Sequence, residues 1–141
     1  MAIRAVLDTN VVLAAGGSSN TNSPNREIVH RWLAGEFTLL VTDDIIAEYA
    51  EKLASHGKST QERVEFLSRV FLLSETVEIR FFHLRHYPAD LDDVIFLLCA
   101  INGEATHSVT YDPHLLDLRV FYDDFAICLP LGLLSALRKT T

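Results

Sequence analysis

The chain has 141 residues and a mass of 15.8 kDa, about the length of one domain, so residues 1–141 are expected to form a single domain with a real core. Its 49% hydrophobic content and mean hydropathy of +0.19 argue against disorder and suit a sheet covered by helices on both faces; the longest apolar run, Val94 to Ile101, is far short of the roughly 20 residues that cross a bilayer. The formal net charge of −7 argues against a general polyphosphate binder and leaves the 12 basic residues only a local phosphate-contacting patch, unless a bound divalent ion offsets several of the negatives.

Ile3 to Leu7 is a short β-rich run that predicts a first, central strand; Val11 to Ala14 and a flexible stretch from Gly16 to Asn22 follow it, beside Asp8. Ser23 and Pro24 signal a helix start, with Ser as N-cap and Pro at the first position. Ile28, Val29, Trp32 and Leu33 form the apolar stripe of that helix before Gly35 ends it. Phe37 to Val41 predicts the second strand. Thr42-Asp43-Asp44 opens a helix with acids in its first turn, buried through Ile45, Ile46, Tyr49 and Leu53 and ended near Gly57. Ser59-Thr60-Gln61-Glu62 is a capping-box pattern, and Val64, Leu67, Val70 and Phe71 form the stripe of the helix it starts. Thr76 to Phe82 is a further strand candidate.

A polar segment from His83 to Asp92, broken by Pro88, leads to Asp90, Asp92 and Asp93 at the mouth of a helix. Its interior, Val94 to Ala100, is apolar on every side and must be deeply buried. Gly103 stops it, Ser108 to Thr110 begins a strand, Leu115 and Leu116 sit in a short helical turn, Phe125 to Leu129 forms a last strand and Pro130 starts a terminal helix. Strands alternating with helices predict a mainly parallel sheet with helices on both sides, a three-layer α/β/α arrangement. No signal-peptide pattern opens the chain, and Cys99 and Cys128 lie in predicted buried elements without disulfide or metal-ligand spacing. A cytoplasmic protein in a reducing compartment, with no membrane contact, is expected.

Four acids fall where a strand ends or a helix begins: Asp8, Glu48, Asp93 and Asp112. In an α/β domain such places gather at the carboxyl edge of the sheet, where ligands of these folds bind. Four carboxylates there would attract a hard divalent cation, and Mg²⁺ needs only one or two of them beside waters and substrate phosphate oxygens. Taken one at a time the acids have ordinary readings: Asp8 as a turn former, Glu48 as a helix-dipole partner, Asp112 before Pro113 as a helix entry, and Asp43, Asp44, Asp90 and Asp92 as caps.

The set Leu7-Asp8-Thr9-Asn10, Ile45-Ile46-Ala47-Glu48-Tyr49, Asp93-Val94-Ile95-Phe96-Leu97-Leu98-Cys99-Ala100 and Thr110-Tyr111-Asp112-Pro113 resembles the PIN domain family over nearly the whole chain, and within it the toxin components of bacterial toxin and antitoxin pairs, the VapC-like group. The resemblance implies a PIN-like α/β/α fold and a metal-dependent endoribonuclease acting on single-stranded RNA with Mg²⁺ or Mn²⁺. It also implies a small protein antitoxin that silences the enzyme, and a homodimer. Asp8, Glu48, Asp93 and Asp112 would be the catalytic and metal-binding acids, with Glu48 as ligand or water-orienting base and Thr9, Asn10 and Thr110 as orienting residues. Between Asp92 and Asp93, the register of the following helix favours Asp93. Tyr111 takes a position that is usually Gly in the family, where it would narrow the pocket or stack on a base.

Rival functions fit less well. An aspartyl-phosphate phosphatase needs a second Asp two positions after the first, where Asn10 stands, and both it and a receiver domain use a late Lys, whereas the lysines here are Lys52, Lys58 and Lys139. No Gly-x-Gly-x-x-Gly follows the first strand, and His83 and His86 lack further zinc ligands at suitable spacing. The remaining alternative is a catalytically silent module that binds RNA or protein.

Overall fold

The computed structural model describes residues 2–17 and 22–140. Within them the chain runs β1 (Arg4–Leu7), α1 (Thr9–Gly17), α2 (Pro24–Leu33), β2 (Thr38–Val41), α3 (Asp43–Ser55), α4 (Thr60–Leu73), β3 (Glu75–Thr76), α5 (Val94–Asn102), β4 (His107–Val109), α6 (Pro113–Leu116), β5 (Ala126–Cys128) and α7 (Pro130–Thr140). Single 3₁₀ turns at Leu91–Asp93 and Asp117–Val120 precede α5 and follow α6. The five strands form one parallel sheet in the order β3-β2-β1-β4-β5, so β1 is central, as its apolar run predicts. Helices cover both faces, which makes the expected three layers: α5 lies over β1, β2 and β4, while α7 packs on β4, β5 and α2. Ala5, Val6, Leu7, Leu39, Leu40, Val41 and Val109 are buried in the middle layer, which is what a sheet covered on both sides requires. No helix among the described residues is long and apolar enough to cross a membrane.

The local signals that close within a few residues are met. Thr42 Oγ1 accepts the Ile45 N–H at 3.2 Å, and Ser59 and Glu62 make both bonds of the capping box. Ser23 stands at the N-cap of α2, but its hydroxyl makes no capping bond; Pro24 starts the helix by fixing φ.

Other expectations are corrected. Val11 to Ala14 lies in α1, which begins immediately after Asp8 and takes in Gly16 and Gly17 of the expected flexible stretch; residues 18–21 of that stretch fall outside the described residues. The strand expected over Thr76 to Phe82 pairs only at Glu75 and Thr76. Val77 N–H still donates to Val41 at 2.8 Å, but Arg80 N–H and Phe81 N–H are captured by the Asn102 side chain at 2.8 Å each, pulling the chain off the sheet edge toward the end of α5. On α4 only Val70 is fully buried, and Val64 and Phe71 are exposed, because one side of the helix packs on α3 while the other faces outward. In α5, Phe96, Leu97, Cys99 and Ala100 are buried, whereas Val94, Ile95, Leu98 and Ile101 are half-buried against the core. Both cysteines are free thiols. Gly103, just past α5, is where helix and sheet come closest: a Cβ there would lie 2.8 Å from Val77 Cγ2, 2.9 Å from the Cys99 carbonyl oxygen and 3.0 Å from Leu40 Cδ1.

Candidate active site

Parallel strands all point one way, so the residues that follow β1 and β4 share an edge. Asp8 extends β1 by one residue, its N–H donating to the Val109 carbonyl at 2.9 Å, and its own carbonyl receives the first bonds of α1 from Val11 and Val12. The side chain is therefore pinned between a strand end and a helix start, and it is 6% exposed. Its Oδ1 accepts the Thr9 N–H at 2.7 Å and its Oδ2 accepts the Thr110 hydroxyl at 2.6 Å. Burial pushes the Asp8 carboxyl above its ordinary range, and the charges of Glu48 and Asp112 push the same way, while the bonds from Thr110 and Thr9 oppose them.

Glu48 arrives from α3. Its Oε2 accepts the Thr9 hydroxyl, so Thr9 holds Asp8 with its backbone and Glu48 with its side chain. The neighbouring Tyr49 is fully buried and its hydroxyl donates to the Leu7 carbonyl at 2.5 Å, locking α3 to the end of β1 one residue before Asp8. Tyr49 is a positioning residue that the acid motifs do not show, although a tyrosine inside an apolar stripe signals a hydroxyl that needs a buried partner. Tyr49→Phe is expected to cost about 1–2 kcal/mol, the range for a buried hydrogen bond whose partner is left unpaired, and to weaken placement of Glu48; thermal melts with and without Mn²⁺ check it.

Asp93 closes the preceding 3₁₀ turn and is 8% exposed, whereas Asp92 is exposed and gives its N–H to Asp90, which caps that turn. Thus Asp93, not Asp92, faces inward. The Oδ2 atom of Asp93 is buried with no hydrogen-bond partner. Burial raises the Asp93 carboxyl to about 8, aided by the neighbouring Asp112 carboxyl and by the charges of Asp8 and Asp90. Asp112 caps α6 by accepting the His114 N–H at 2.9 Å, and its own N–H donates to Thr110 Oγ1 at 2.9 Å. One threonine, Thr110, thus links Asp8 and Asp112. Asn10 Oδ1 accepts the Tyr111 N–H at 3.4 Å, tying the first turn of α1 to the residue before Asp112.

Arg31 pairs with Glu27 and Glu36, and Arg85 lies over the Tyr122 ring and beside Asp124. His86 stacks on Phe121 at 4.3 Å, and His114 is an exposed imidazole. A cavity of about 420 Å³ begins at Val12, one turn beyond Asp8, with Leu53 and Phe66 in its walls and Arg26, His30 and Lys58 beside them.

The sequence profile of the PIN domain matches residues 4–114, a span that contains all four acids. The chain belongs to the PIN domain family, whose members are generally nucleases and typically use divalent metal ions. Solved structures share the fold, among them the two that follow. PAE2754 from Pyrobaculum aerophilum superposes with a TM-score of 0.61 at 19% identity, over 99% of this chain and 92% of that one. VapBC2 from Rickettsia felis, solved bound to a DNA fragment from its promoter, gives 0.57 at 14% identity, over 89% of this chain and 97% of that one. No curated protein sequence matches the chain.

The residues present fit a hard divalent ion. The donors are all carboxylate oxygens, Asp93 Oδ2 has no hydrogen-bond partner, and a cation would offset the burial, and the lesser mutual repulsion, that raise Asp8 and Asp93. Among the described residues no three such groups form a ready-made cage. An ion of the Mg²⁺ type does not need one, because it keeps most of its waters.

Proposed function

We propose that residues 1–141 act as one PIN domain unit, a Mg²⁺- or Mn²⁺-dependent endoribonuclease that cuts single-stranded RNA as the toxin of a toxin and antitoxin pair. The observation that carries the hydrolytic reading is the buried, unpartnered Oδ2 of Asp93 beside Asp112 and Asp8: a costly arrangement of carboxylates that a silent domain has no reason to keep. The toxin reading is supported by family membership and by the shared fold with VapBC2. It carries with it a small protein antitoxin, a homodimer and a cytoplasmic setting.

In this reading Asp8, Asp93 and Asp112 hold the ion, which when bound supplies neutralisation of charge on the phosphodiester and eases ionisation of the attacking water. Thr110 and the Thr9 N–H keep Asp8 in one rotamer, so little reorganisation is needed when substrate arrives. Glu48, aimed by the Thr9 hydroxyl, orients the water and takes its proton. Water attacks phosphorus, the bond to the ribose oxygen breaks, and a solvent proton completes the leaving group. No covalent enzyme intermediate is required.

The test is cleavage of a labelled single-stranded RNA pool by purified protein with Mn²⁺, with EDTA, and by the Asp8→Asn Asp93→Asn double variant. Metal-dependent cutting lost in the variant supports the proposal. Equal cutting by both proteins assigns the activity to a contaminant. If neither cuts while both fold and bind RNA, the silent binding module takes its place.

A further inference from the structure

Between Thr110 and Asp112 stands Tyr111, tied through its backbone N–H and through its hydroxyl. Its N–H donates to Asn10 Oδ1 at 3.4 Å. Its hydroxyl accepts from Asn25 Nδ2 at 2.8 Å and lies 3.2 Å from Asn25 Oδ1, to which it donates in the alternative arrangement. Asn25 is itself 6% exposed, in the first turn of α2, so the anchor is fixed by packing. Tyr111 nonetheless remains 40% exposed. An aromatic side chain left open while its backbone and hydroxyl are both tied has no core to serve. It is a surface whose conformational entropy has already been given up, and such a surface gains most from a flat partner. The flat groups that an RNA strand brings beside its phosphates are its bases.

We propose that Tyr111 is a specificity-determining wall of the site, on which the base of a nucleotide next to the scissile phosphate stacks, with Asn25 as the residue that positions it. The inference rests on the endoribonuclease reading and adds to it the contact that selects an unpaired strand, because a base inside a duplex cannot offer its face to the ring. Stacking of this kind tolerates every base, so the preference it creates is for single-stranded RNA and for well-stacking purines over pyrimidines.

The experiment uses the full chain in the Asp8→Asn background, so that binding is read without turnover, and a short single-stranded RNA whose cleavage position has been mapped with wild-type protein. Binding is followed by fluorescence anisotropy with the intact RNA and with the same RNA carrying an abasic nucleotide beside the mapped position. Tyr111→Leu is expected to raise Kd about tenfold on intact RNA and to leave binding of the abasic RNA unchanged, with the melting temperature reporting that the variant folds. Tyr111→Phe, which keeps the ring and loses its anchor, is expected to fall between. In active protein the same changes should appear in KM and hardly in kcat. Equal losses on intact and abasic RNA, or none on either, overturn the stacking role while leaving metal-dependent cleavage standing. Absence of cleavage by the wild type instead removes the reading on which the inference rests, and the inference with it.

Discussion

Asp93→Asn is expected to make the protein more stable and catalytically dead. The carboxyl is buried, its Oδ2 has no hydrogen-bond partner, and it faces Asp112 with Asp8 and Asp90 nearby. An amide of the same shape is neutral at every pH and presents N–H donors to the Asp112 carboxylate, so folding no longer requires this group to take up a proton. Without divalent ions at about pH 8, the gain is on the order of 2 kcal/mol, or roughly 5–10 °C in Tm for a domain of this size. The same substitution takes away a ligand from the proposed ion site, and cleavage is expected to fall by at least about 10²-fold, the scale on which single charge-stabilising groups act. Thermal melts and single-turnover cleavage on the same preparations check both halves. A variant that is less stable than wild type in EDTA would show that Asp93 supports the fold, and the site would have to be sought elsewhere. Stability and activity pulling in opposite directions at one residue is the mark of a group retained for chemistry.

Stability without divalent ions is expected to fall as pH rises from about 4 to about 8. An Asp in the unfolded chain loses its proton near its ordinary value, whereas Asp93 holds its proton up to about 8 because of burial and the neighbouring Asp112 carboxyl; Asp8 is shifted in the same direction. Between the two values the folded state binds more protons than the unfolded state, so the slope of unfolding free energy against pH is negative. The contribution is fully present below the unfolded value and is lost as pH passes through the folded one. Mn²⁺ takes the place of the proton, so it should stabilise most at the alkaline end and little at pH 4, where it must displace protons to bind. Melting temperatures across this range, with EDTA and with Mn²⁺, should therefore form two curves that meet in acid and diverge above neutrality. Asp93→Asn should flatten the EDTA curve. Parallel curves would mean that the ion binds somewhere other than these carboxylates.

Much of the architecture could be read from the chain because its signals close over short distances. The capping box of Ser59 and Glu62, the Thr42 cap, Pro24 at the start of α2 and the apolar runs Ile3 to Leu7 and Phe37 to Val41 each need only a few neighbours, so local chemistry decides them. The placement of acids after strand ends was readable for the same reason, since parallel strands carry all such positions to one edge. Asn25 was readable in principle too: it shares the stripe of Ile28 and Trp32, where a polar residue announces a buried partner.

What no local pattern contains is which side chain meets which across the sheet. Thr110 reaches Asp8 from 102 residues away, Thr9 takes Glu48 across 39, and Tyr111 finds Asn25 across 86. These pairings depend on strand register and on how α2 and α3 lie against β1. They exist only once the layers have packed. The same holds for β3, cut short because Asn102 competes for its backbone donors, and for α4, whose outer side has no layer to cover it. Composition, caps and spacing sufficed for most of the elements, though not for α1 or the extent of β3, and for the acids Asp8 and Asp112 that follow strand ends, because those are properties of neighbouring residues. The burial of Asp93 over Asp92, the orphaned Oδ2, the raised carboxyls and the anchored Tyr111 ring arise from long-range packing, which sets solvent access and charge separation.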